Sequence, residues 1–355
     1  MVRRKISRKR PGYMRAALWF VLLAIIAVLI VAVKMYRTVF LPAVDMEEGE
    51  KIILYLPPEA DYEWLMNKLD REEIIKDRMA FEWLSKKKKL NKNINPGRYV
   101  IEPGMNNNEI INKLRSGNQD PVMFLFNNLR NLEELAGVAA GILEPDSSEF
   151  AEYLTSPRTA KDLGFSPETF SSMFIPNSYE FYWTTDPEEF AERMKREYIA
   201  FWSKGREQKA KELGFTREEV SVLASIVEQE ALHPEENPKI AGVFINRLEE
   251  GIPLQSDPTL IYALQNFNIR RVLNNHKLID SPYNTYKNRG LPPGPISIPS
   301  IASIDAVLDY EKHNYIYFCA KPDFSGYHNF ARTLSQHNKN ARLYQQALNR
   351  RKIYR

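Results

Sequence analysis

Apolar and polar positions sort the chain into three regimes. In the first, Ala16–Val33 reads AALWFVLLAIIAVLIVAV, eighteen apolar residues without a charge. A helix of that length covers most of a bilayer's hydrocarbon core. The run is longer than the apolar core of a cleaved secretion signal and continues into KMYRTVF instead of a small-residue cleavage site. It is therefore read as an uncleaved anchor over 16–35.

The second regime, 36–120, alternates short strand and helix patterns. Residues 36–50 read as a linker, and KIILYL then opens a strand. Leu54–Leu69, LYLPPEADYEWLMNKL, aligns at constant offset with Tyr99–Leu114, YVIEPGMNNNEIINKL, so that Pro58 matches Pro103 and Asp61 matches Asn106. Each copy predicts a strand, a proline break, an Asx cap and a short amphipathic helix. The intervening AFEWLSKKKKLNKNINPG predicts a helix, a basic run and a turn. A small α+β module follows. Its lysine run at 86–89 reads as a solvated helix end.

The third regime, 121–355, is a mixed helical and strand domain. LRNLEELAGVAAGI is amphipathic, and DPEEFAERMKREYIAFWSKG opens with Asp186 as cap and Pro187 in the first turn, a strong start signal. LGFSPETF and LGFTREEV both read as helix starts, capped by Ser166 and Thr216, the second with Glu219 as a capping box. The aromatic stretch Phe174–Thr185 between them reads as a packed loop. Toward the end, YIYFCA predicts a strand over Tyr315–Ala320, followed by a Gly326 turn and a polar HNFARTLSQHN leading into the last helix.

One helix in this domain breaks its own pattern. The segment SVLASIVEQEALHPEE lies in a helix predicted from Thr216 to about Leu232. At about 100° per residue, Val220, Leu223, Ala224, Ile226, Val227 and Ala231 form one apolar stripe. Glu230 falls inside the stripe, Glu228 at its edge and Gln229 on the opposite flank. A carboxylate on an apolar face must be paired, protonated or set at a cleft. Desolvation raises its pKa toward what a general acid needs near neutrality. The helix pattern alone leaves open a buried ion pair instead, with Arg247 as partner.

Charge and composition narrow the chemistry. The formal net charge is +4 over 355 residues, yet the first 15 contain Arg3, Arg4, Lys5, Arg8, Lys9, Arg10 and Arg15 with no acid. Removing those seven from 49 basic residues leaves 42 against 45 acidic. The basic excess is one N-terminal tail, 1–15, which argues against a nucleic-acid partner and for a cytoplasmic N-terminus by the positive-inside rule. Cys319 is the only cysteine, so no intramolecular disulfide is available. The histidines show no paired ligand spacing, and Gly-rich phosphate loops are absent, so neither metal nor cofactor is expected.

Downstream of Glu230, the sequence offers a candidate binding surface. A polar turn, LQSDPT, carries Gln255 and Asp257. Asp257 is either a turn residue before Pro258 or a second carboxylate. The rigid, Pro- and Gly-rich SPYNTYKNRGLPPGPISIPS places Tyr283, Asn284, Thr285 and Tyr286 in a row. Such a loop suits sugar recognition, with aromatic faces against a pyranose and amides and hydroxyls on its OH groups. His328 and Asn329 complete the proposed walls.

Taken in order, ASIVEQEA, VFINRL, LQSDPT, YNTY with GLPPGPI, YFCA and HNFARTLSQHN resemble the motifs of the MltG/YceG-like endolytic murein transglycosylases, over roughly 99–344. The resemblance implies an α+β protein with a single transmembrane helix, a LysM-like module and a catalytic domain. It implies peptidoglycan glycan strands as substrate at the inner (cytoplasmic) membrane, beside peptidoglycan synthases and division proteins. The family's catalytic glutamate falls on Glu230, with Glu228 as a supporting substrate-site residue. The expected reaction is lytic cleavage between MurNAc and GlcNAc, leaving a 1,6-anhydro end. The rivals are a glycoside hydrolase using Glu230 and Asp257, and a non-catalytic scaffold. Asn177 stands where relatives carry Asp, so a role at that position is not carried over.

Overall fold

The computed structural model describes residues 12–203, 205–269 and 271–351. The first eleven residues of the predicted basic tail lie outside them. The chain forms two compact units, 1–121 with 182–184, and 122–181 with 185–355.

The first unit begins with α1 (Gly12–Phe40), whose stretch Ala16–Phe40 is long and apolar enough to cross a membrane. Then come β1 (Ile52–Leu56), α2 (Tyr62–Arg71), α3 (Arg78–Lys87), β2 (Gly97–Ile101) and α4 (Asn107–Ser116). The repeat positions act as expected: Asp61 caps α2 by accepting from Trp64 N–H, and Asn106 caps α4 in a full capping box with Glu109. The two strands pair antiparallel with Leu54 opposite Tyr99, and their inner faces join Leu65, Phe81 and Ile111 in one core.

The linker expected over 36–50 is largely structured. Helix α1 continues to Phe40, Ala43 and Val44 are buried in the module core, and Ala43 exchanges backbone hydrogen bonds with Met105 and Lys76. These residues are apolar and directly follow the helix, so burial outweighs freedom.

The second unit contains β3 (Val122–Leu125), α5 (Leu132–Ala140), α6 (Ser147–Leu154), α7 (Pro157–Asp162), β4 (Ser178–Phe181), α8 (Pro187–Ser203), α9 (Arg206–Glu212), α10 (Arg217–Glu230), α11 (Asn237–Glu249), α12 (Asp257–Leu264), α13 (Ile301–Leu308), β5 (Tyr317–Ala320), β6 (His328–Ala331) and α14 (Leu334–Arg350). Three expectations are corrected here. The stretch Phe174–Thr185 is not all loop: its centre is β4, paired antiparallel with β3 and burying Tyr179 and Phe181 alternately. Ser166 caps no α-helix. Its hydroxyl and that of Thr169 close a single turn before a 3-10 segment at Phe170–Met173. Residues His328–Ala331 are a strand in register with β5, not a helix approach.

Aromatic rings knit the β3–β4 end of this unit. Phe124 meets Phe190 edge-on at 5.2 Å and Phe181 at 5.6 Å, a geometry favoured by ring quadrupoles. Helix α10 runs through the core, with every residue from Val220 to Val227 buried. Its Ser225 hydroxyl accepts from Ile296 N–H at 3.0 Å, which fastens the Pro-rich segment to the helix carrying Glu230.

Candidate active site

Helix α10 starts as the sequence predicts, with Thr216 and Glu219 in a capping box, but ends at Glu230, two residues short of Leu232. Ala231 is already extended, φ −96° and ψ 127°, because the chain must turn into the Pro234 segment. Glu230 therefore sits on the last helical turn, among carbonyls that disfavour a nearby negative charge. It is half-buried and lines a cavity of about 490 Å³, within the size range of ligand clefts.

Burial pushes the Glu230 carboxyl from 4.5 to about 7, against the Ser256 hydrogen bond that lowers it and with the nearby Asp257 charge that raises it. Ser256 Oγ donates to Glu230 Oε1 at 2.5 Å. Ser256 occupies the N-cap of α12, yet its side chain makes no cap hydrogen bond. The hydroxyl is directed at the carboxylate instead. The Arg247 ion pair left open above does not form. Arg247 is buried, and it donates from Nε to Pro253 O at 3.0 Å, from Nη1 to Ile316 O at 3.0 Å and from Nη2 to Gln255 Oε1 at 2.7 Å.

These contacts fix the turn before α12. Gln255 holds φ +56°, a left-handed conformation costly for a side-chain-bearing residue. Its N–H donates to Thr285 O at 3.0 Å, and the next N–H, of Ser256, donates to Thr285 Oγ1 at 3.0 Å. The strained turn is thus clamped from two sides, and it delivers the Ser256 hydroxyl to Glu230.

The candidate residues separate into two groups. Glu230, Gln255, Asp257, Tyr286 and His328 line the one cavity. Asp257 Oδ1 accepts from the Tyr286 hydroxyl at 2.5 Å. His328 is held by Glu236, whose carboxylate accepts from its backbone N–H at 3.1 Å and lies 2.8 Å from Nδ1. With Nδ1 so engaged, Nε2 is left for the cavity.

Glu228, Tyr283, Asn284, Thr285 and Asn329 are outside that lining. Glu228 Oε2 accepts from Ser300 N–H at 3.0 Å at the start of α13, where a helix N-terminus favours an anion. Asn284 and Thr285 are buried. The Asn284 amide donates to Lys277 O and Ile279 O and accepts from Tyr286 N–H. Tyr283 packs on Tyr262 with ring centroids 4.7 Å apart. Asn329 lies opposite Cys319 in the β5–β6 ladder. Asn284 and Thr285 shape the turn that presents Tyr286, and none of the five residues lines the cavity.

Ser256, Tyr317 and His337 also belong to this site, though the sequence pattern does not single them out, and Arg247, one open partner for Glu230, bonds elsewhere. Tyr317 and His337 line the cavity, stacked 5.2 Å apart, with the Arg247 guanidinium 5.6 Å from the Tyr317 ring. Burial, then the Arg247 charge, pulls the His337 pKa down. Only Ser256 left a signal: a serine before Asp-Pro, in the N-cap position. Among the described residues, no cluster of three His, Cys, Asp or Glu could hold a metal ion.

Removing the serine hydroxyl tests its role. Ser256→Ala takes a donor from the ionised form of Glu230, so its pKa rises further. The alkaline limb of kcat/KM is expected to move to higher pH, with kcat down about tenfold from looser positioning. An unmoved limb in the variant's pH profile would leave the hydrogen bond without catalytic consequence.

The model of the YceG-like family matches residues 54–343. A Bacillus subtilis (strain 168) protein named endolytic murein transglycosylase is 30% identical over 330 residues, covering 86% of this chain and 88% of that protein. A Streptococcus pneumoniae (strain D39) protein of the same name is 25% identical over 312 residues, 78% of this chain, and the match spans 55% of its length. The crystal structure of a yceG-like protein from Listeria monocytogenes superposes with a TM-score of 0.55 at 27% identity, covering 82% of this chain and 99% of that one.

Proposed function

Because the chain belongs to the YceG-like family, we infer that it is a membrane-anchored lytic transglycosylase, cleaving peptidoglycan glycan strands internally between MurNAc and GlcNAc. The observation that carries this reading is Glu230: one half-buried carboxyl in a cavity, with a pKa near 7 and a hydroxyl on one oxygen. Protonated, it gives its proton to the glycosidic oxygen as the C1–O bond breaks. The resulting carboxylate takes the proton of the MurNAc C6 hydroxyl, whose oxygen bonds to C1 and closes the 1,6-anhydro ring. Proton and electron pair balance without water, and one group serves as acid and then as base. Ser256 donates to the carboxylate form that exists between the two steps.

A hydrolase needs a second carboxylate to direct water, and Asp257 lines the same cavity. Its Oδ1 is engaged by the Tyr286 hydroxyl, which favours an orienting role. Gln255, Tyr286 and His328 are proposed to contact the sugars. Glu228, Asn284 and Thr285 are proposed to act through the backbone they hold, and Tyr283 and Asn329 through the packing and pairing of their own segments.

The apolar α1 supports a single-pass anchor, and the basic residues before it support a cytoplasmic N-terminus with the chain beyond α1 outside. The β1–α2 and β2–α4 pairs support a LysM-like module that positions or weakly holds glycan beside synthases and division proteins. A reporter fused after Arg355 is expected to be active only outside the cytoplasm; activity only inside contradicts this topology. For the reaction, sacculi digested by the full chain are expected to release anhydro-ended muropeptides by mass spectrometry. Release of reducing ends alone would replace this reading with hydrolysis.

A further inference from the structure

The first unit holds a crevice of about 640 Å³ that the reaction above does not use. One wall is α1, presenting Ile26, Ile30 and Val33 and then Lys34 and Arg37; Lys76 stands on the opposite wall, just before α3. Spacings of four and three residues place the apolar three on one face of the helix. The crevice is therefore apolar along its length and cationic at the end nearer Phe40. At about 1.5 Å per residue, Ile26 to Arg37 rises roughly 16 Å, about the hydrocarbon depth of one leaflet.

The cationic end is not neutralised from within. The ion pairs of this unit leave Lys34 and Arg37 without an acid among the described residues. Lys76 pairs with Asp45 at 3.2 Å across an exposed contact. Asp77, the one acid in the lining, accepts from Ala80 N–H at 3.0 Å as the cap of α3.

A second observation concerns Asn107, which also lines the crevice and is 5% exposed. Its Nδ2 donates to Thr38 O at 2.8 Å, which sets the amide's orientation. Its Oδ1 is buried without a partner. A buried acceptor without a donor is costly, and a ligand with a hydroxyl would supply one.

We propose that this crevice binds one outer-leaflet phospholipid with an anionic phosphate and a hydroxyl-bearing headgroup, the chemistry of phosphatidylglycerol. An acyl chain lies along Ile26, Ile30 and Val33, the phosphate meets Lys34 and Arg37, and a headgroup hydroxyl donates to Asn107 Oδ1. The proposal rests on the reading of α1 as membrane-spanning. Bound there, the lipid ties α1 to the module and fixes how the module stands on the membrane.

The test uses the full chain reconstituted in vesicles of equimolar phosphatidylglycerol and phosphatidylcholine, with native mass spectrometry of the retained lipid. Phosphatidylglycerol is expected to be retained in preference, and the Lys34→Gln/Arg37→Gln double variant to lower that preference about tenfold or more. With phosphatidic acid, which lacks the glycerol hydroxyls, retention is expected to fall for the parent chain but to equal phosphatidylglycerol for Asn107→Leu. Equal retention of the two original lipids, no effect of the double variant, or displacement by inorganic phosphate each overturns the lipid site. Vesicle flotation separates the two levels. A chain that floats without lipid preference refutes this site alone, whereas one that fails to float refutes the membrane reading and the site with it.

Discussion

Glu230→Gln is expected to lower glycan-strand cleavage by at least ~10²–10⁴-fold while making the protein more stable above neutral pH. Gln keeps the shape and can still accept from Ser256, but it supplies no proton and takes none. The stability effect follows from linkage. The folded-state pKa of about 7 lies above the ordinary 4.5, so between these values the folded chain holds a proton that the unfolded chain releases. Stability therefore falls as pH rises from 4.5 to 7, and the full penalty stands above 7. A shift of that size corresponds to at most about 3 kcal/mol, less because Glu230 keeps contact with solvent. Removing the carboxyl recovers it, raising Tm by a few degrees at alkaline pH and leaving Tm unchanged below about pH 4.5. Glu228→Gln is expected to cost activity far less, since Glu228 faces the start of α13. Full activity of Glu230→Gln beside loss in Glu228→Gln would reverse the assignment.

Arg247→Met is expected to damage stability and turnover together. Methionine replaces the apolar stem but leaves Pro253 O, Ile316 O and Gln255 Oε1 without their donors. These acceptors are only partly buried and Gln255 is exposed, so each one left unpaired costs less than the about 1–3 kcal/mol of a fully buried group. Part of this is offset because the guanidinium no longer has to be desolvated, and burial already pulls its pKa down. The net loss is expected at about 1–3 kcal/mol by denaturant unfolding. Because Arg247 fixes the strained Gln255 turn, Ser256 loses its aim at Glu230, and kcat falls at least about tenfold more than KM changes. Unaltered stability and kcat in Arg247→Met would mean that the turn holds itself. Arg247→Lys, with fewer donors and no fork, is expected to fall between the two.

The sequence made some of this architecture legible because local rules govern it. Asp61, Asn106 and Thr216 each precede a helix with a partner in reach, so their caps could be read directly. Glu230 was visible because a helix face is periodic and one charge in the stripe stands out. Strand β4 was not, because its four residues alternate too briefly to separate from a loop and its partner β3 is distant in sequence. Asn284 and Thr285 looked like ligand-binding residues by chemistry alone. Their hydrogen-bonding capacity goes instead to Lys277, Ile279, Ser256 and Thr259, which only the folded turn reveals. Ser256 was legible only in part: a serine before Asp-Pro reads as a helix cap, and nothing local indicates that its hydroxyl reaches a residue on α10. Arg247 looked like a salt-bridge partner for Glu230, but backbone carbonyls and an amide satisfy it.

If Glu230 alone carries the proton out and back, no water enters the product. The most direct measurement is cleavage of purified glycan strands by the full chain in water enriched in heavy oxygen, with mass analysis of the new ends. Anhydro ends carrying no heavy oxygen are expected. One heavy oxygen incorporated at each new reducing end would contradict this and make Asp257 the residue to pursue.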